Sequence, residues 1–122
     1  MNINGTYRSQ NNEFVLTITN SNEEHGTFTG SYVSTYTPQG QQTFSSVTGI
    51  WNFVTNPGGS LTPLSIGFVA ASRPEARAYA IFDAWSGVLG KAGTFTATGT
   101  RSFLPAGGTP VLSSLGTQIF GS

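Results

Sequence analysis

The chain of 122 residues has no cysteine, which excludes disulfides and thiolate chemistry. That absence leaves the redox compartment open, because secreted barrels can do without bridges. Charge is scarce as well: 8% of residues are Asp, Glu, Lys or Arg, five of each sign, with one histidine and a net charge of zero. No basic cluster occurs, so a phosphate-backbone groove and a nucleic-acid partner are not expected. A neutral chain repels its own copies weakly, and self-association is expected to be easy. No apolar run approaches the ~20 residues of a membrane-spanning helix, and no membrane partner is expected. The first residues, Met1 to Gly5, lack the basic and apolar character of a secretory leader. A cytoplasmic protein, or a secreted one whose leader has been removed, both fit. Asn4-Gly5-Thr6 has the form of a glycosylation acceptor, a triplet common by chance.

Helical signals are nearly missing. Sixteen glycines and six prolines are spread along a threonine-rich chain in which hydrophobic residues make up 37%. That is enough for a core and one domain, 1–122. Short runs rich in Thr, Val, Phe and Tyr alternate with polar turns at the spacing of an all-β sandwich or barrel. The pattern predicts strands at about 4–9, 12–19, 26–35, 43–54, 63–72, 77–89, 93–103 and 110–120. Gln10-Asn11-Asn12 suits a tight hairpin because Asn tolerates positive φ. Asn56-Pro57-Gly58-Gly59 and Pro105-Ala106-Gly107-Gly108 cannot continue a ladder. Arg73-Pro74-Glu75 suits one turn of helix or a plain hairpin. Glu75 to Ala84 has mild helical appeal from its alanines. The alternation of Tyr79, Ile81, Asp83 and Trp85 against Ala78, Ala80, Phe82 and Ala84 favours a strand instead.

A motif recurs at Gly5-Thr6-Tyr7, Thr29-Gly30-Ser31-Tyr32, Thr48-Gly49-Ile50-Trp51 and Thr98-Gly99-Thr100-Arg101. Glycine inside a strand marks a sharp bend or a close backbone approach, and four of them fit strands coiling around a small barrel. Eight antiparallel strands closed on themselves also remove exposed edges. The alternative architecture is an open two-sheet sandwich.

Gly5-Thr6-Tyr7, Thr29-Gly30-Ser31-Tyr32-Val33-Ser34 and Thr48-Gly49-Ile50-Trp51 resemble the first, third and fourth strands of the avidin and streptavidin family. Ala84-Trp85-Ser86-Gly87 is similar to the Trp-Ser-Gly turn of that family, and Leu115-Gly116-Thr117-Gln118-Ile119-Phe120 to its last strand. The resemblance runs in order over nearly the whole chain. It implies an eight-stranded up-and-down barrel, tetrameric or dimeric, that binds biotin at its mouth without reacting on it. Biotin enters as a ligand; no cofactor, no metal and no catalytic residue is implied. By this resemblance Tyr32 and Ser34 match the residues around the ureido oxygen. Ser9 stands at the place of the family's Asn, Asn12 at that of its first Ser, and Gln118 at that of its Asp or Asn. Trp85 matches one wall tryptophan and Phe103 an apolar wall position.

Ser72, Arg101 and Pro110 stand where the family has its other tryptophans, and Asp83 where it has a Thr beside the ring sulfur. Losing much of three aromatic walls at ~25 cal/mol per Å2 weakens biotin by several kcal/mol. With Trp85 facing inward, Asp83 two residues earlier does too, and Arg101 does with Phe103. Two inward charges are expensive unless they meet. They form either a polar floor for a ligand or a structural ion pair. The candidate ligand-binding set is therefore Ser9, Asn12, Tyr32, Ser34, Asp83, Trp85, Arg101, Phe103 and Gln118. The leading expectation is a non-catalytic binder of biotin or a biotin-like ligand with weakened affinity. The alternatives are a carbohydrate-binding barrel using Asp83, Arg101 and Trp85, or a structural oligomer with a vestigial pocket. His25, beside Glu23 and Glu24, reads as a solvated turn rather than a metal ligand, since no spaced partner exists. Arg73, Arg77 and Lys91 read as surface charges, Tyr36 and Tyr79 as packing or rim residues. Ile50, Trp51, Phe53 and Phe95 read as core or subunit interface.

Overall fold

The computed structural model describes residues 2–44, 46–54, 64–74, 76–89 and 93–122. Nine strands make up the chain: β1 (Gly5–Ser9), β2 (Phe14–Asn22), β3 (Thr27–Ser34), β4 (Gln42–Phe44), β5 (Ser46–Phe53), β6 (Leu64–Ser72), β7 (Tyr79–Leu89), β8 (Thr94–Pro105) and β9 (Val111–Gly121). Each is antiparallel to its neighbours, in the order β2-β1-β9-β8-β7-β6-β5-β3, and β2 pairs with β3 to close the ring. β4 and β5 both lie along β3, β4 against Tyr32–Ser34 and β5 against Thr27–Thr29. They are two halves of one interrupted stave, so the architecture is a closed eight-stranded up-and-down barrel. No sandwich forms, and no helix among the described residues is long and apolar enough to cross a membrane.

The strands fall within a few residues of the positions predicted from alternation and turn chemistry. Asn12 takes φ of 60° in the β1–β2 turn, the left-handed conformation that Asn tolerates. Arg73 and Pro74 begin a turn in which the Arg77 N–H donates to the Pro74 carbonyl (2.8 Å), rather than a helix. Glu75, Lys91 and the Asn56–Gly59 turn lie outside the described residues.

Alternation places Phe14, Leu16 and Ile18 of β2, Phe28 and Tyr32 of β3, Phe68 of β6, Trp85 of β7, and Phe95 and Phe120 of β8 and β9 inside, all buried. The recurring glycines make room for these rings. A Cβ on Gly49 would stand 2.0 Å from the Phe28 ring, and one on Gly99 2.7 Å from the Trp85 indole. The motif is thus a packing device, the inward position left empty so that the neighbouring aromatic can fill it.

Gly99→Ala should destabilise the barrel by about 1–3 kcal/mol through overpacking against Trp85. A fall of the urea midpoint at unchanged slope checks this, and an unchanged midpoint would remove the packing role.

Candidate functional site

Asp83 and Arg101 are directly opposed on the antiparallel β7–β8 ladder, so their side chains leave the sheet on the same face. That face is the inside. Asp83 is 0% and Arg101 5% exposed. Arg101 Nε donates to Asp83 Oδ1 at 2.6 Å and Nη2 to Oδ2 at 2.7 Å, a two-pronged charge-assisted pair. The Tyr32 hydroxyl donates to Asp83 Oδ2 (2.8 Å) and accepts from Trp85 Nε1 (3.0 Å). Arg101 Nη2 also donates to Ser34 Oγ (3.1 Å), and Nη1 donates to the backbone carbonyl of Tyr36. The guanidinium carbon lies 5.4 Å from the centre of the Tyr36 ring and 6.0 Å from that of Phe44. Edge-on and stacked rings enclose the network: Phe14 and Phe120 pack on Trp85, Phe44 and Phe68 on Tyr32.

Burial and the nearby Asp83 carboxylate hold the Tyr32 phenol far above its ordinary range. For Arg101, burial works against the charged form, but the hydrogen bonds and charge of Asp83 outweigh it and raise its pKa further. The network therefore stays a neutral phenol beside an ion pair.

Of the nine residues singled out from the sequence, the structure gathers Tyr32, Ser34, Asp83, Trp85 and Arg101 into one bonded cluster. Ser9 is also buried, but its hydroxyl donates to Asn11 Oδ1 (2.6 Å) and accepts from the Phe14 N–H (3.1 Å), organising the β1–β2 turn. Asn12 is exposed in that turn. Gln118 is half-buried on β9, and its Nε2 donates to the carbonyl of Leu115 (3.2 Å) on its own strand. The polar atoms expected around a ligand head are thus committed to one another. Among the described residues, the buried side-chain polar atom left without a partner is Trp51 Nε1, outside the network.

Open space lies above the cluster instead. A cleft of about 460 Å3 at the barrel mouth is floored by Arg101 and walled by Tyr36, Ile81, Phe103 and Val111, with Thr37, Pro38 and Ser113 at its edge. Phe103 and Arg101 are the members of the predicted set that reach it. Tyr36, Thr37 and Pro38 belong to the β3–β4 connection, and their part in the site was not foreseen. The connection is fixed at three points. The Thr35 N–H donates to the Glu13 carbonyl (2.9 Å), the Tyr36 N–H to Ser34 Oγ (3.1 Å), and Tyr79 Oη bonds to the side-chain oxygens of Gln39 or Gln42 (2.8 Å each). A larger hollow of about 580 Å3 lies at the other end, beneath the β2–β3 turn, with Glu23, Glu24 and His25 in its lining. No group of three or more His, Cys, Asp or Glu that could hold a metal occurs among the described residues.

Compared with models of known families, with characterised proteins and with solved structures, the chain matches none.

Asp83→Asn should cost about 3–5 kcal/mol, because it leaves the Arg101 charge buried without its counter-ion. Asp83→Leu combined with Arg101→Met should cost less than either single replacement, since the desolvation penalties leave together. Urea unfolding of the three variants decides; additive losses would mean that the pair is not coupled. The Tyr32 phenol gives a second outcome. Its folded pKa lies above the unfolded value near 10, so its contribution to stability is intact below pH ~10 and is lost as pH rises beyond it. In a spectroscopic titration Tyr32 should be the last of the four tyrosines to ionise, and only as the barrel unfolds.

Proposed function

We propose that this chain is a non-catalytic binding protein that holds a small molecule at the barrel mouth, a biotin or biotin-like ligand received above the buried cluster with weak affinity. The observation that carries this reading is the mouth cleft with the Arg101 guanidinium as its floor. A guanidinium has five N–H donors. Four are used, by both oxygens of Asp83, by Ser34 and by the Tyr36 carbonyl, which leaves one on Nη1 for a ligand acceptor. The Asp83 carboxylate already balances the charge, so a neutral acceptor such as a ureido or amide carbonyl suits the floor better than an anion. Phe103, Ile81 and Val111 offer apolar area to the ligand body, the usual make-up of a small-molecule site.

Two features support reduced affinity. The interior space below Arg101 is filled by side chains, and the aromatic enclosure is thin at the mouth. The carbohydrate reading has less support, because Trp85 is 3% exposed and covered by Phe14, Phe68 and Phe120, with no ring face open to stack on a sugar. A purely structural barrel is the competing reading, favoured by how completely the cluster satisfies itself.

Calorimetric titration should give biotin a dissociation constant of roughly 10 µM or weaker, about −7 kcal/mol at best. Phe103→Ala should weaken it about tenfold, and pentanoate, which has a carboxylate but no ureido head, should bind less well than biotin. No heat and no thermal shift at millimolar biotin would reject biotin. Binding indifferent to Phe103→Ala would reject the mouth.

A further inference from the structure

We propose that the outer wall formed by β5, β6, β7, β8 and the adjoining face of β9 is the docking surface for a second copy of this chain. Strands β5 to β9 contain two charged residues, Asp83 and Arg101, and both point inside. No outward side chain on the wall carries a charge. The protein's other charged side chains stand on β1 or in the turns at the barrel ends.

The register arranges this wall in rows across the strands. Nearest the mouth, Ala71, Phe82, Ser102 and Leu112 stand side by side, with Phe82 44% and Leu112 77% exposed. Towards the other end, Ser65, Val88, Thr96 and Ile119 form a second bulky row, with Val88 58% and Ile119 41% exposed. Between them the side chains are small: Val69, Ala84 and Thr100 in one row, Gly67, Ser86 and Thr98 in the next. These middle rows form a hollow of about 520 Å3. A barrel wall is convex, and two convex walls touch along a narrow band unless the crest is removed. Small central residues remove it, and the bulky rows on either side supply the apolar contact.

The occupant follows from charge and area. A charged partner finds nothing to pair with on this wall, whereas the same wall of another copy is matched to it in polarity and shape, the condition for an isologous contact. Five strands ~4.8 Å apart and four rows ~6.6 Å apart span roughly 24 Å by 26 Å, on the order of 600 Å2 per copy. The doubled figure, ~1,200 Å2, reaches the range of stable interfaces.

Sedimentation velocity and native mass spectrometry of the intact chain test this. The wild type should be a dimer, or an even multiple of one, at about 10 µM. Ser86→Arg and Thr98→Arg, each placing a charge in the hollow, should weaken association at least a hundredfold while keeping the circular dichroism of the barrel. Thr6→Arg, on the exposed face of β1, should leave assembly unchanged. In the concentrated wild type, a soluble paramagnetic agent should broaden the methyl signal of Thr29 but spare those of Val69, Val88 and Leu112. A monomeric wild type at 100 µM overturns the proposal. So does an assembly that both charged variants leave intact, or one in which the wall methyls broaden as much as Thr29.

Discussion

The cross-strand pair of Asp83 and Arg101 sets the terms for the rest of the molecule. A carboxylate and a guanidinium removed from water lose several kcal/mol each in hydration, and their mutual attraction offsets this only when the remaining donors and acceptors are also met. Here they are met by residues from three separate stretches: Tyr32 and Ser34 on β3, Trp85 on β7, and the carbonyl of Tyr36 beyond β3. β3 and β8 are not neighbours in the sheet, so these bonds cross the barrel interior. A one-residue slip of β7 against β8 would turn one charge outward and strand the other. The pair thus pins the register and, in the same stroke, consumes the space and the polar atoms that an open deep pocket would need.

Much of the fold was legible in the chain. Residues Tyr79 to Trp85 alternate so clearly that Asp83 had to share a face with Ile81 and Trp85, and the structure puts all three inside. The Thr-Gly-aromatic repeats announced close approach, and Gly49 and Gly99 are where rings fill the vacant position. Turn residues marked the strand ends because Asn12 and the Gly-Pro clusters have few other conformations available. The break between β4 and β5 was not legible. Both halves continue one polar-apolar alternation, and the interruption depends on how β3 passes from one partner to the other.

The site was less legible than the fold, for a physical reason. Residue type shows which side chains can donate or accept, but not which of them will already be satisfied. Ser9, Tyr32 and Ser34 have the right chemistry for a ligand head, and all three are buried, yet each meets a protein partner first. The decisive acceptor for Arg101 Nη1 is a backbone carbonyl, which every residue possesses and no pattern singles out. Asn12 and Gln118 show a related gap. Their places in the order of the chain are matched by resemblance, but the first is held by a turn conformation and the second by a bond to its own strand at the irregularity around Gly116.

Inside and outside are linked by the same two-residue period. The alternation that sends Asp83, Trp85, Gly99 and Arg101 inward sends Phe82, Ala84, Thr98 and Thr100 outward, so a chain with ten acidic and basic residues in all that places two of them inside has few left for its walls. A mixed surface of charges normally keeps a small domain apart from its copies. With its charges withdrawn to the core, to β1 and to the end turns, this barrel presents five strands to water as hydroxyls, glycines and aliphatic side chains. Burying that wall against its own kind requires no desolvation of charge. The cost of interior ions and the character of the exterior are therefore consequences of one placement.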